Sequence, residues 1–207
     1  VLYRVLAWSC YFPVAEVSTF RKLPSRLQAH PSTDKNIPGI RMASGSLGQG
    51  LSVGIGAAEI KKLNGDDSLV YTLHGDGELQ EGQIWEAAMY AAARKVDNII
   101  ATIDYNGRQI DGDVDDVISL GKLSQKWQAF GWEVLEMNGH NPKEMKNVMA
   151  KAKSLTGNGK PIVIVMTTEM GQGVDYMMGS HKWHGVAPND EQLVAALNQL
   201  EETLGDY

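Results

Sequence analysis

The sequence predicts an α/β fold, a doubly wound parallel sheet with helices on both faces. Two observations predict this fold. Short apolar segments at residues 69–73, 98–104, 132–137 and 161–166 have the length and the aliphatic content of buried strands. Between them lie segments of about 10–15 residues with helical periodicity, and this alternation is typical of βαβ units with parallel strands.

Glycine, proline and apolar periodicity divide the rest of the chain. Helices are predicted at residues 1–12 and 15–23, and a loop broken by prolines and glycine follows at 24–43. The glycines of residues 45–50 open a helix that runs to about residue 63. The other helical or amphipathic segments are 82–95, 120–130, 142–154 and 190–204, and the other loops are an acidic one at 110–117 and a glycine-rich one at 171–189.

Length and composition set limits on the class of protein. The 207 residues suit a single domain, and because the chain begins inside a predicted helix, we expect a natural start to be missing. A net charge of −6 without a long basic run argues against nucleic acid as a partner. The absence of an apolar stretch of ~20 residues argues against a membrane span. The single cysteine, Cys10, excludes an internal disulfide and fits a reducing, cytoplasmic location.

Polar residues follow two neighbouring strands of the predicted sheet. Residues 75–77 read Gly-Asp-Gly after the first strand, and Asn106 follows the next one. Because parallel strands of a βαβ unit end at the same edge of the sheet, Asp76 and Asn106 are expected side by side there. Two oxygen ligands, completed by a main-chain carbonyl such as that of Arg108, suit Mg²⁺ carrying a diphosphate. Taken singly, Gly-Asp-Gly and Asn-Gly are also ordinary turn sequences.

Longer motifs resemble the transketolase family. The similar segments are residues 75–88, 45–50, 104–112 and 183–185, together with 20–23 and 28–31. They run through most of the chain, which resembles the N-terminal, thiamine diphosphate-binding half of a transketolase. Ser46 and the short C-terminal end suggest the form in which transketolase is split into two polypeptides.

The resemblance implies roles for individual residues. His30 and His184 would be catalytic: His30 would face the reacting carbon of the sugar, and His184 would contact the diphosphate and substrate hydroxyls. Magnesium, or Ca²⁺ or Mn²⁺ in its place, would be held by Asp76, Asn106 and Arg108, and Glu86 would lie at a dimer interface. The cofactor, thiamine diphosphate, would be bound by Gly45, Leu47, Gly75, Asp76, Gly77, Glu81, Asn106 and His184.

Simpler interpretations stay open for several of these residues. Loop histidines such as His30 are usually solvated or cap a turn. His181 has a spacing to His184 that also occurs in zinc sites, but lid or packing roles fit it better because no further ligand is in view. Gly50, Gly54 and Ala57 form a face of small residues, which suits packing against another helix as well as close approach of the cofactor to the backbone. His74 departs from the family pattern, which has an apolar residue there, and is either satisfied locally or touches the diphosphate.

The resemblance also indicates what lies outside this chain. In transketolases, the glutamate that activates the cofactor and the arginines that hold the sugar phosphate belong to a pyrimidine-binding domain. A family histidine in a Gly-His motif would precede Val1. The expected partner is therefore a C-terminal, pyrimidine-binding transketolase subunit, with self-association into a heterotetramer.

The implied reaction is the transfer of a two-carbon ketol unit between sugar phosphates, as in the pentose phosphate pathway. Two alternatives remain: a related enzyme half that acts on a sulfonated or amino sugar, and a subunit that binds the cofactor without turnover.

Overall fold

The computed structural model describes residues 1–201, and the chain divides into two compact units, residues 1–47 and a larger unit that begins at Gly48. The smaller unit contains helix α1 (Leu2–Trp8) and two short 3₁₀ helices, Val14–Thr19 and Thr33–Lys35. Its core is formed by Tyr3, Ala7, Phe12, Leu27 and Ile37.

The two helices predicted at the start of the chain are too long. The helix predicted over residues 1–12 ends at Trp8, because Cys10 takes a left-handed conformation (φ 62°) and the amide of Tyr11 closes the turn on the carbonyl of Leu6. The helix predicted over 15–23 is the 3₁₀ helix Val14–Thr19. Arg21, also left-handed (φ 60°), comes soon after that helix ends.

The larger unit contains the strands β1 (Val70–Gly75), β2 (Ile99–Tyr105), β5 (Glu133–Asn138) and β6 (Ile162–Thr167), each within a few residues of its prediction. Among the described residues of this unit, these four strands form one parallel sheet in the order β1-β2-β6-β5. Between β2 and β5 the chain forms a small antiparallel hairpin of β3 (Arg108–Gln109) and β4 (Gly112–Asp113).

Helices cover both faces of the sheet. One face is covered by α2 (Gly50–Leu63), α3 (Gly82–Ala93) and α5 (Leu123–Ala129), and the other by α6 (Pro142–Leu155). The period-two alternation of β2 produces this division, because Ile99, Ala101 and Ile103 enter the first core whereas Ile100 enters the second. The predicted doubly wound parallel sheet with helices on both faces is therefore confirmed.

Two other predicted elements need correction. The acidic loop predicted at 110–117 contains β4 and a short helix, α4 (Val114–Ile118), because Val114 is buried and anchors this segment in the core. Asp115 and Asp116 occupy the first turn of α4, where negative charge is favourable. The last helix, α7, spans Asp190–Leu197 rather than 190–204, and residues 202–207 lie outside the described part.

Helix α2 approaches strand β1 closely through its glycines. A Cβ at Gly54 would overlap Cγ2 of Thr72, and one at Gly50 would lie 3.7 Å from Cε1 of His74. Strand side chains are the neighbours of these two glycines. Gly50 and Gly54 therefore allow packing of α2 on β1, rather than the helix–helix contact that the sequence left open. No helix in the part of the chain that the structure describes is long and apolar enough to cross a membrane.

Candidate cofactor and metal site

The parallel pairing of β1 and β2 places Asp76 next to the turn that begins at Asn106. Gly75 is in register with Asp104, so both strands end at the same edge of the sheet. The carboxylate of Asp76 is 1% exposed and accepts hydrogen bonds from the amides of Gly77 (2.8 Å) and Gly107 (2.5 Å). The structure therefore brings together the two turns that the sequence singles out.

Asn106 begins a tight turn into the β3–β4 hairpin. Its side-chain oxygen accepts a hydrogen bond of 2.8 Å from the amide of Arg108, and Gly107 between them has a φ of 72°. The guanidinium of Arg108 is paired with Asp113, and this pairing raises the pKa of Arg108 above its ordinary value. The hairpin thus holds Asn106 beside Asp76 through local hydrogen bonds.

Asp76 is a buried carboxylate without a cation among the described side chains. Burial raises its pKa, and the nearby Asp104 adds to the effect, whereas the amides of Gly107, Gly77 and Asn106 oppose it. Among the ion pairs between described residues, none includes Asp76. An unpaired buried charge is costly, and a bound divalent cation would neutralise it.

The surroundings of Asp76 fit a cation that takes its remaining ligands from a diphosphate. The structure, as far as residue 201, holds no cluster of three or more His, Cys, Asp or Glu side chains suited to a metal. Gly75 and Gly107 have open space where a Cβ would project, which leaves the backbone beside Asp76 accessible. Hard oxygen donors with an accessible backbone suit Mg²⁺ carrying phosphates.

Glu78 belongs to this site although the sequence did not single it out. One of its oxygens accepts from the amide of Gly48 (2.9 Å) and the other from the amide of Gly75 (3.2 Å). Burial acts to raise the pKa of Glu78, but the neighbouring His74 ring and these amides outweigh it, so the pKa lies below its ordinary value. The only feature of the sequence that could have indicated Glu78 is its position two residues after Asp76. In the structure it lies in the 3₁₀ helix Gly77–Gln80.

Glu81 and Glu86 are both exposed. Glu81 precedes α3. A Cβ at Gly48 would lie 2.7 Å from the Cβ of Glu81, so the Glu81 side chain packs on the backbone just before α2. Glu86 projects from α3 into a groove between α2 and α3, which Glu59 and Tyr90 also line. Neither glutamate forms an ion pair with another described residue.

The smaller unit brings His30 and Gly45 together. A Cβ at Gly45 would lie 2.7 Å from Nδ1 of His30, and Gly45 has a φ of 125°, so both contact and conformation require glycine there. Leu47, two residues later, is exposed. The predicted sugar-facing histidine therefore lies against the segment that is predicted to bind the cofactor.

The loop that carries His184 is packed locally. His184 follows the 3₁₀ helix His181–Trp183 and is exposed, whereas His181 is half-buried. The indole N–H of Trp183 donates a hydrogen bond to the carbonyl of Tyr176 (2.8 Å), and the centroids of the two aromatic rings lie 5.2 Å apart. The 3₁₀ helix neighbours strand β4, so this loop lies beside the hairpin that follows Asn106.

Similarity to known proteins agrees with this geometry. Residues 1–201 match the family model described as transketolase, thiamine diphosphate binding domain. The chain belongs to the transketolase family. Within that family it is similar to transketolase of Campylobacter jejuni, whose crystal structure superposes with a TM-score of 0.80 at 34% identity, over 89% of this chain and 29% of that one.

Two relatives are named as transketolase subunits. The 6-deoxy-6-sulfo-D-fructose transketolase subunit SqwG of a Clostridium species is 39% identical over 201 residues, which are 97% of this transketolase-family chain and 72% of the relative. A subunit of the apulose-4-phosphate transketolase of Phocaeicola vulgatus is 42% identical over 187 residues, 90% of this chain and 65% of the relative. Human transketolase is 33% identical over 188 residues, which are only 29% of its length. The chain thus spans 72% and 65% of the two relatives named as subunits, but under a third of human transketolase.

Proposed function

We propose that this chain is the diphosphate-binding subunit of a two-polypeptide transketolase. Its reaction would transfer a two-carbon ketol unit from a ketose phosphate to an aldose phosphate. The observation that carries the proposal is the buried, unpaired Asp76 carboxylate beside the Asn106 turn. The similarity to relatives that are themselves named as subunits supports the division into two polypeptides.

Asp76, Asn106 and the main-chain carbonyl of Arg108 are the proposed protein ligands of Mg²⁺, which Ca²⁺ or Mn²⁺ could replace. The backbone at Gly75 and Gly77 would lie along the diphosphate, and Gly45, Leu47 and Glu81 would contact the rest of thiamine diphosphate. When bound, that cofactor supplies a nucleophilic carbon that can accept the ketol unit.

His30 and His184 are the proposed catalytic residues of this chain. Both are exposed on loops, so a sugar phosphate can reach them. An imidazole donates or accepts a proton near neutral pH, which suits the hydroxyl and carbonyl groups that change charge during ketol transfer. His30 would act at the reacting carbon, and His184 would hold the diphosphate and substrate hydroxyls.

The sugar itself has two candidates. Ordinary pentose and hexose phosphates are the substrates that the family resemblance implies. The names of two relatives instead refer to 6-deoxy-6-sulfo-D-fructose and to apulose-4-phosphate, which favours an unusual sugar as the second candidate.

A second polypeptide is part of the proposal. It would carry the pyrimidine-binding domain, with the glutamate that activates the cofactor and the arginines that hold the sugar phosphate. The coding region next to this one in the genome is the first place to look for that polypeptide.

The test is an assay of ketol transfer by the purified protein, alone and with the candidate partner. Both reactions contain Mg²⁺, thiamine diphosphate, a ketose phosphate and an aldose phosphate, and parallel reactions replace the donor by 6-deoxy-6-sulfo-D-fructose. We expect turnover only when the partner is present, and none with Asp76→Ala. Turnover by the protein alone would contradict the division of the site, and binding of the cofactor without turnover on any sugar would indicate a non-catalytic subunit.

A further inference from the structure

Glu78 joins two pieces of backbone that are distant in the sequence. Its Oε1 accepts from the amide of Gly48, 30 residues upstream, and its Oε2 accepts from the amide of Gly75. Gly75 is the last residue of β1 and directly precedes Asp76, whereas Gly48 lies two residues before α2 begins. One carboxylate therefore holds both the start of α2 and the turn that carries the proposed metal ligand.

The site of Glu78 is enclosed. The Glu78 side chain is 11% exposed, and the ring of His74, 2% exposed, lies beside it with Nδ1 3.4 Å from Oε1. The buried ring shields this side of the carboxylate from water, and neither of its nitrogens forms a hydrogen bond of good geometry with a described residue. Hydrogen bonds from backbone amides to a shielded carboxylate are stronger than those between neutral groups.

Glu78 differs from Glu81, the neighbouring carboxylate that is expected to contact the cofactor. Both of its oxygens are already used by backbone amides, whereas Glu81, three residues later, is exposed and has no side-chain hydrogen bond at the start of α3. Loss of Glu78 would leave these two amides without an acceptor and would free the backbone at Gly48 and Gly75.

We infer that Glu78 is a positioning residue for cofactor binding, which fixes Gly48 and Gly75 in the arrangement that receives the diphosphate and its metal. This inference rests on the proposed function. It assigns Glu78 an effect on affinity through the backbone, without direct contact with cofactor or substrate.

The test combines two measurements on the purified protein with Glu78→Ala, Glu78→Gln and Asp97→Asn. Asp97 is the matched control, because it is also a largely buried carboxylate that accepts from a backbone amide, Gly159 (2.8 Å), but it precedes β2 at the opposite edge of the sheet. The first measurement is hydrogen–deuterium exchange, without ligand, in peptides that cover Gly48 and Gly75. The second is the calorimetric Kd of thiamine diphosphate with Mg²⁺.

We expect Glu78→Ala to speed exchange at both glycines and to raise the Kd about tenfold or more, as the loss of charge-assisted hydrogen bonds implies. Glu78→Gln keeps one acceptor oxygen and should fall between parent and alanine variant, and it serves as the test if Glu78→Ala does not fold. Asp97→Asn should lower thermal stability but leave the Kd unchanged.

Three outcomes would overturn the inference. They are an unchanged Kd in both Glu78 variants, unchanged exchange at both glycines, and an equal rise of the Kd in Asp97→Asn, which would show a general effect of lost stability. If the parent protein itself binds no cofactor with Mg²⁺, the proposed function fails and the inference fails with it. The exchange data would then still show whether Glu78 holds the two backbone segments.

Discussion

The carboxylate of Asp76 accepts a hydrogen bond of 2.5 Å from the amide of Gly107, across 31 residues of sequence. This bond joins the turn after β1 to the turn after β2, and it orients the buried carboxylate toward the Asn106 hairpin. The amides of Gly77 and Gly107 partly compensate the buried charge, but no cation in the described part of the chain does so. The account of a metal and diphosphate site depends on this relationship.

The two loop histidines should differ in their effects. In the assembled enzyme, His30→Ala and His184→Ala should each lower kcat/KM by about tens- to thousands-fold, as expected for the loss of positioned donors or acid–base groups. The Kd of thiamine diphosphate should rise more in His184→Ala, because His30 is predicted to face the sugar. Steady-state kinetics and calorimetry measure the two effects. Equal and large losses of cofactor affinity in both variants would contradict the placement of His30.

Replacing His74 with leucine should not destabilise the protein. Both ring nitrogens of His74 are buried without a hydrogen bond of good geometry, so we expect the relief of their burial, about 1 kcal/mol or more, to outweigh the loss of the 3.4 Å contact with Glu78. Thr72→Val is a matched control, since the hydroxyl of Thr72 is also buried without a partner and faces the same helix. Denaturant titration compares the variants. A loss of stability, or weaker cofactor binding in His74→Leu alone, would show that the ring donates a hydrogen bond to Glu78 or to the diphosphate.

The lowered pKa of Asp97 should make the stability of the fold depend on pH. Burial acts to raise its pKa, but its hydrogen bond from Lys62 (2.7 Å) and that from the amide of Gly159 outweigh burial, so the pKa in the folded state lies below the unfolded value. A group of this kind stabilises the fold above its unfolded pKa of about 4, and the contribution is lost as the pH falls through the folded pKa. The difference in unfolding free energy between the parent and Asp97→Asn should therefore be steady above about pH 5 and should shrink in more acidic solution. A difference that stays constant to about pH 2 would contradict this interpretation.

The surface of α2 and α3 should mediate self-association. Val53, Met89 and Tyr90 are exposed there, near Glu86, and obligate interfaces of this kind typically bury ~2,000 Å² or more. Met89→Asp should shift the protein to smaller species in sedimentation velocity. Leu193→Asp, at an exposed apolar residue of α7, should leave the association unchanged. If the parent protein, with partner and cofactor present, sediments as a single chain or as a complex with one copy of each polypeptide, a heterotetramer is contradicted.

Much of the fold could be predicted because it depends on local pattern. Strand β6 is apolar over its first five residues, and β2 begins with three apolar residues; such segments are typical of strands buried on both faces. The errors arose where backbone conformation or a single buried side chain decided the outcome. The left-handed Cys10 ends α1, and the burial of Val114 turns an acidic segment into a helix. Neither feature produces a periodic pattern of apolar residues, so neither can be recognised in the sequence.

The candidate site was predictable only in part, for a similar reason. Strand ends indicate Asp76 and Asn106, because parallel strands must end at one edge. The bond from Gly48 to Glu78 spans 30 residues, and the contact of His30 with Gly45 depends on how the loop around the 3₁₀ helix Thr33–Lys35 folds back. Such long-range contacts become visible only in three dimensions.

The central claim is that Asp76 binds the metal that carries thiamine diphosphate, and calorimetric titration of the cofactor tests it most directly. The parent protein, Asp76→Ala and Asn106→Ala are each titrated with and without Mg²⁺, and circular dichroism verifies that the variants are folded. We expect Mg²⁺-dependent binding by the parent, none by Asp76→Ala, and weakened binding by Asn106→Ala, since a neutral amide contributes less to a divalent cation than a carboxylate does. A folded Asp76→Ala variant that binds thiamine diphosphate as tightly as the parent, with the same dependence on Mg²⁺, would contradict the claim.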